Sequence, residues 1–534
     1  MVMKKKRILG VVLASALLIG TFAACTPTQQ PAAAPDTGGI AVTPPPTGGT
    51  VPPPLPPPEQ AIERGLNIAI QAETPTLAPA RHTALIGGFK NNLTHNGLFR
   101  VNYEDLEPVP DLVASWRSLS DTLFEFTLHE GVMFHNGEEL TAEDVVASMH
   151  YVRTYPEARV FHGSVVDAEV VDRYTFILDT GEPNALLFFE LSHQANLIMP
   201  KSLIDGGNDF NVNPVGSGSF EFYDWSLGDS LTFTRFDDYF DADRFPQVDY
   251  IHWRIIPEGA SRTIALETGE VDFIVEVAFP DIPRMRENPE ITVFERPGLT
   301  FIYLLLNNST PMFENIHVRH AIDMAIDKEA IVLAAVDGFG VPVSVSVPPV
   351  FPGVSHDGTR SFDPDAARAL LAEHNIDPST LDFDMLVYSE EHRRRAEVVQ
   401  ANLADLGINT TITMIDFATW LTAAGTTDAA FGAFTSANLL SFMRSTMHVE
   451  SIPAPNRSRI TNQVLSDLIT EAIQTVDPAA RLAVTQEATR VANEHSGFIP
   501  LHMNVLVRAF NSNLVVPEIA ASGAMNLNMA YWVE

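Results

Sequence analysis

Cysteine is almost absent from this chain. Cys25 is the single one among 534 residues, which excludes an internal disulfide framework and any zinc or iron–sulfur site built on several cysteines. Basic residues are scarce too. There are 33 Lys+Arg against 67 Asp+Glu, a formal charge of −34, so the clustered cations that a phosphate backbone requires are missing and a nucleic-acid partner is excluded. Beyond residue 20 no apolar run reaches 18 residues, so no later stretch is long enough to cross a bilayer as a helix. Motifs that announce catalysis are also missing. His-Glu-x-x-His, Gly-x-Ser-x-Gly and Gly-x-x-x-x-Gly-Lys-Ser/Thr do not occur. Gly216-Ser217-Gly218-Ser219 has the wrong spacing for a hydrolase elbow and lacks the third glycine of a dinucleotide fingerprint. His129 with His135, and His317 with His320, have spacings a metal could use, but they read more simply as exposed or capping histidines. The chain is therefore expected to bind rather than to catalyse, with no metal and no cofactor.

What is present begins with an address. Lys4, Lys5, Lys6 and Arg7 precede a 13-residue apolar run, Ile8 to Gly20, and then Phe22-Ala23-Ala24-Cys25. A basic start, a short apolar core and small residues before a break read as a secretory signal over residues 1–24. Phe22-Ala23-Ala24-Cys25 resembles a bacterial lipobox, with Phe22 where Leu is usual, which makes Cys25 the expected site of lipidation. Residues 25–60 then read as a tether. Twelve prolines fall between residues 26 and 58, interrupted by Gly38-Gly39 and Gly48-Gly49. Such a composition favours extended polyproline II, and 33 residues of it reach on the order of 100 Å. Loss of residues 1–24 removes four basic and no acidic residues and leaves a charge of −38.

From residue 61 onward strand and helix patterns alternate without a second linker. Leu66 to Ile70, Phe124 to Leu128 and Tyr174 to Leu178 alternate as strands do. Asn136-Gly137 predicts a tight turn, and Thr141-x-x-Asp144 the capping box of a helix. Asp363-Pro364 and Asp477-Pro478 each place a capping acid before a proline at the first helical position. Another helix runs from about Glu391 to Gly407, and a strand follows at Ile408 to Met414. The mixed run Glu390 to Arg395 reads as the solvated face of that helix. The body is α/β, a sheet covered by helices.

Several segments, in order along the chain, resemble one family. Pro110-Asp111-Leu112-Val113-Ala114-Ser115-Trp116, Phe134-His135-Asn136-Gly137 with Leu140 to Val145, and Val215-Gly216-Ser217-Gly218 come first. Leu266-Glu267-Thr268-Gly269-Glu270-Val271-Asp272 and Val318-Arg319-His320-Ala321-Ile322 with Ala325 to Lys328 follow. Together they resemble the extracellular solute-binding proteins of family 5, the peptide/nickel type that feeds ABC importers. Each motif is modest alone; in family order over residues 66–510 they are specific.

The resemblance implies a fold of the type II periplasmic-binding-protein kind, with two lobes around a hinge cleft and an extra subdomain (cluster C). Lobe I is expected to hold 61–98, 212–298 and 505–534, the extra subdomain 99–211, and lobe II 299–504. Phe301 to Leu306 would cross between lobes and Leu501 to Val507 return. The implied function is capture of a peptide outside the cell and its delivery to a membrane permease, by a monomer anchored through Cys25 to the outer face of the cytoplasmic membrane. A nickel chelate, an oligosaccharide or an opine-like solute would suit the same fold, and so would a sensor that does not transport. A surface hydrolase is disfavoured by the missing motifs. Candidate ligand contacts are Glu73 and Thr74 on one rim, and Gly216, Ser217 and Gly218 on another. Tyr303 and Asn307 lie on the crossing strand, and Phe434, Thr435, Asn438 and Arg444 in the stretch that sets specificity in the family. Many peptide-binding members carry there the acid that takes a peptide's amino end, and residues 434–444 contain no acid. Arg444 would pair with a ligand carboxylate or stand as a surface residue.

Overall fold

The computed structural model describes residues 65–81, 85–155, 162 and 165–533. The secretory signal, Cys25 and the tether to residue 60 lie outside the described residues.

One large sheet is the frame. Its order is Asn409–Met414, Asp382–Val387, Ala429–Thr435, Ile291–Leu306, Phe498–Asn511, Phe273–Ile274, Gly65–Ile70, Tyr250–Ile255, Ser230–Arg235 and Phe220–Ser226. Gly340–Pro342 pairs on the side of Phe498–Asn511. Gly65–Ile70 is central and apolar at nearly every position, as expected of a strand covered on both faces. Leu66, Ile68 and Ile70 point into a core with Phe233, Trp253 and Phe273. Ala69 and Ile274 face the opposite way, toward Leu266, Ile282 and Met285.

The two long strands run antiparallel and carry the sheet from one lobe to the other. They are longer than the predicted crossings, because main-chain pairing continues to Ile291 and Asn511. Their register slips between Pro297 and Phe301, beside Gly298. A Cβ at Gly298 would stand 2.9 Å from the Asn504 carbonyl, so the strands approach there as only glycine permits. Past this point the side chains alternate between two separate cores. Ile302, Leu304 and Leu306 face Ile322, Ile331 and Leu403. Phe301, Tyr303 and Leu305 face Phe442, Met443 and Phe498. This period of two follows from strand geometry.

A third body stands to the side. Val113–Ser118, Leu123–Leu128, Thr175–Asp179 and Asp167–Val170 form a four-stranded antiparallel sheet. The helix Ala142–Val152 packs on it, and Phe126, Phe134, Val145, Met149 and Phe176 share its core. Thr141 and Asp144 form the capping box, with the Asp144 carboxylate accepting from Thr141 N at 2.8 Å. Asp363 and Asp477 cap Pro364–Glu373 and Pro478–His495 by accepting from Ala366 N and Ala480 N, each at 2.8 Å. Gly407, at φ 91°, ends Glu390–Leu406 in the left-handed region.

The charge run at the start of that helix departs from expectation. Glu390 and Arg393 are exposed, but Arg395 is fully buried and donates to His502 Nε2 at 2.9 Å. The helix turns one face of the run onto the sheet, and His392 is buried with Arg395. The histidines weighed as metal pairs are occupied elsewhere. His317 stacks on His374, His320 Nε2 lies 2.8 Å from the Glu494 carbonyl, and His129 lies against Phe240. Among the described residues no helix is long and apolar enough to cross a membrane.

Candidate functional site

A cavity of about 250 Å³ lies where the three bodies meet. The first lobe contributes the end of helix Leu85–Thr94 and the segment 522–528. The side subdomain contributes Phe99–Tyr103 and 189–194, and the second lobe contributes Phe434–Ala437 and Ser441. A second hollow shares Ala437 and runs past Leu106, Leu299 and Asn438. The lining mixes aromatic rings with amides and hydroxyls, as small-solute sites do.

Two of the predicted contacts line the cavity. Phe434 and Thr435 end the strand Ala429–Thr435, where they pair with Phe301 and Thr300 just past the register slip. Phe434 is set edge-on by Phe442, with ring centroids 5.7 Å apart. The Thr435 hydroxyl lies 2.9 Å from that of Thr300. Asn438 borders the second hollow and caps Leu439–Met447, accepting from Ser441 N at 3.1 Å.

Gly216, Ser217 and Gly218 stand behind the wall. A Cβ at Gly216 would lie 2.3 Å from the Thr94 carbonyl, and one at Gly218 would lie 2.2 Å from that of Leu93. The turn therefore sits directly on the end of the helix that lines the cavity. His135 holds it there. Its main-chain N–H donates to Gly216 O and its Nε2 to Gly218 O, each at 2.9 Å. The two family-like motifs at 134–137 and 215–218 are thus one clamp. Ser217 Oγ donates to Asn96 Oδ1 at 3.2 Å, and Asn96 is itself a lining residue.

The other predicted contacts do not line the cavity. The Glu73 carboxylate accepts from Trp225 Nε1 at 2.6 Å and Gly228 N at 3.0 Å, which ties down a hairpin turn. Thr74 is buried and donates to Thr76 O at 2.9 Å. Tyr303 packs 4.6 Å from Phe498 in the second-lobe core, and burial raises its phenol. Asn307 donates to Thr427 O at 3.0 Å and accepts from Ser309 N at 3.1 Å, shaping the turn before Pro311–Glu314.

Arg444 joins two bodies. Its Nη1 lies 2.7 Å from the Glu190 carboxylate, on the side-subdomain helix Leu187–Leu191. Around this pair Ala185 N donates to Ile473 O at 2.8 Å, and Gln474 Nε2 to Glu182 at 2.7 Å. Leu186 packs on Leu440 and Ala472. These contacts fasten the side subdomain to the second lobe across the cleft. Burial pushes the Glu190 carboxyl up to about 7, although Arg444 pulls it down. Arg444→Met is expected to cost this fastening about 1–2 kcal/mol, since the pair is only partly shielded from water. The ligand-free protein should then show a larger radius of gyration by small-angle X-ray scattering; an unchanged radius would mean that the pair does not hold the lobes together.

Sequence reasoning missed Arg100, Tyr103, Asp111, His193, Arg244 and Asn526, all of which line the cavity. Asp111 lies inside Pro110–Trp116, a segment that carries the family resemblance without marking a ligand contact. The one available signal was the scarcity of basic residues in so acidic a chain.

Two lobes on one crossing sheet, a side subdomain and a cavity between them define a type II periplasmic binding protein. The model of bacterial extracellular solute-binding proteins, family 5 (middle), matches residues 107–445, and the chain belongs to that family. A relative, the glutathione-binding protein GsiB of Salmonella paratyphi A, is 25% identical over 472 residues, covering 84% of this chain and 90% of the relative. Among solved structures, the chain is similar to the periplasmic binding protein DppA of Helicobacter pylori in complex with the peptide STSA. The TM-score is 0.80 at 23% identity, over 88% of this chain and 98% of that one. AgaA of A. tumefaciens R10, in complex with agropinic acid, gives 0.79 at 24% identity over 88% and 99%.

Proposed function

We propose that this protein is the substrate-binding component of an ABC importer, capturing short peptides outside the cell and passing them to a membrane permease. The observation that carries the reading is the cavity walled by all three bodies. A ligand seated there touches both lobes at once and so favours the closed form, which is how a binding event becomes a population shift. We take the solute to be of di- to tetrapeptide size. The relative that binds glutathione, itself a short peptide, supports the same size class. We take the lobes to divide as 61–98 with 212–298 and 505–534, then 99–211, then 299–504. The separate hydrophobic cores and the register slip at Pro297–Phe301 support those limits. We further take the receptor to act as a monomer, tethered by residues 25–60 to a lipid on Cys25.

Glutathione or tripeptides supplied at 100 times Kd should add about 2.7 kcal/mol to stability and raise Tm. A shift with a nickel–histidine chelate or a maltodextrin, and none with any peptide, would sink the peptide reading. For the anchor, Cys25→Ala should move the protein from the membrane fraction to the medium or periplasm; continued sedimentation with membranes would refute lipidation.

A further inference from the structure

One wall of the cavity carries two arginines whose hydrogen-bonding capacity is largely unspent. Arg244, on the short turn Ala242–Arg244, places Nη1 2.8 Å from Asp111 Oδ1 and 3.7 Å from Asp241. Its buried Nε has no hydrogen-bond partner among the described residues. Arg100, on Phe99–Val101, comes no nearer than 4.0 Å to the same Asp111 oxygen and donates no side-chain hydrogen bond to any described residue. Both oxygens of Asp111 are engaged, the other accepting from Asn96 Nδ2 at 3.0 Å. Asp111 is 8% exposed, so solvent screens it little.

The rest of the lining does not cancel this charge. His95 and His193 line the same cavity, and desolvation holds both near 3 and therefore uncharged. Tyr103 is a neutral phenol, pushed up to about 12 by burial. Glu518 lies behind the wall and is engaged by the side-chain amide of Asn526. Two arginines therefore line the cavity with Asp111 as the one carboxylate of the lining, Asp241 standing outside it at 3.7 Å from Arg244, in a chain with twice as many acids as bases. Guanidinium forks match a carboxylate in a planar, bidentate geometry, and in a site screened from water such a pair is strong.

We propose that Arg100 and Arg244 form an anion anchor that takes a free carboxylate of the solute, so that the protein selects short peptides or peptide-like acids with an unblocked carboxyl end. This rests on the cavity being the binding site proposed above. It also assigns the carboxylate-binding role to the first-lobe side of the cleft, since Arg444 is engaged by Glu190.

The probes are glutathione, trialanine and trialanine amide, titrated calorimetrically into the whole mature protein and its Arg100→Gln variant. The Arg100 side chain donates no hydrogen bond to any described residue, so the variant should keep the parent's Tm. At least one of the two acids should bind the parent. The variant should bind it roughly 10- to 100-fold more weakly, the loss of one charged hydrogen-bonded pair. Trialanine amide should bind the parent with a similar deficit, and the variant no worse. Equal affinity of parent and variant for the acid, or of the parent for acid and amide, would overturn the anchor while leaving a peptide receptor in place. Failure of both acids to bind the parent would overturn the anchor and the peptide reading together.

Discussion

Lowering the pH from 7 to 5 is expected to remove on the order of 5–10 kcal/mol of folding stability, most of what a typical domain has. The cause is a set of histidines, some buried and some half-buried, that the fold holds neutral. Burial lowers His135, His320 and His495 to about 4, and His95, His193 and His502 to about 3; nearby arginines add to the effect at His320, His495 and His502. The hydrogen bonds require the neutral ring. His193 Nδ1 accepts from Ala195 N at 3.1 Å, and His502 Nε2 accepts from the buried Arg395 guanidinium. His135 donates from Nε2, leaving Nδ1 turned toward the Gly216 N–H. In the unfolded chain each imidazole takes up a proton near pH 6.5, and in the folded chain it does not. A depressed folded pKa therefore gives stability that is complete above 6.5 and lost as pH falls toward 4. A fully shielded ring such as His95 or His502 contributes up to about 2 kcal/mol of that loss by pH 5, and the more exposed rings such as His320 contribute less. Glu190 works in the other direction. Its folded pKa is raised, so its penalty is present at pH 7 and relieved below it, which offsets about one histidine. Urea unfolding at pH 7, 6 and 5 reads the sum. A flat profile would mean that these rings are not held neutral in the fold.

The second large effect comes from a single methyl group. Gly218→Ala should destabilise the protein by about 3 kcal/mol or more. The new Cβ would fall 2.2 Å from Leu93 O, 2.4 Å from Thr94 C and 2.6 Å from His95 N. All three are main-chain atoms, so no side chain can swing away and the helix end itself must move. Leu93 and His95 line the cavity, so the surviving folded molecules should also bind ligand more weakly. Gly137→Ala is the internal comparison. Gly137 sits at φ +80° with open space around its Cβ position. It should lose only about 1 kcal/mol, the cost of a left-handed alanine. Urea midpoints of the two variants decide it. A Gly218→Ala protein within 1 kcal/mol of its parent would mean that the turn is not seated on Leu85–Thr94.

How much of this could be read from the chain depends on distance along it. Features that a few neighbouring residues decide were legible. Asp363-Pro364 and Asp477-Pro478 start helices, Thr141 and Asp144 form a capping box, and the alternation at Leu66–Ile70 became the centre of the sheet. The cavity was not legible, because several segments separated by hundreds of residues build it. Arg244 and Asp111 meet across 133 positions, and Arg444 and Glu190 across 254. Polar residues that suggested ligand contact, Glu73 and Asn307, spend their hydrogen bonds on nearby turns. No periodicity distinguishes a carboxylate used internally from one offered to a solute. Phe434 and Thr435 were found only because the stretch occupies the position of a family's specificity segment. The buried Arg395 was misjudged for a related reason: helical periodicity gives an apolar face, but it does not reveal that a histidine on a distant strand waits there to accept a hydrogen bond.

The cavity between the lobes is proposed to hold a short peptide or a peptide-like acid. Native mass spectrometry of the protein purified without denaturation tests it most directly, followed by fragmentation of whatever is released. The account predicts an amide-containing solute of di- to tetrapeptide size with a free carboxylate. A released oligosaccharide or a nickel–histidine chelate would contradict it.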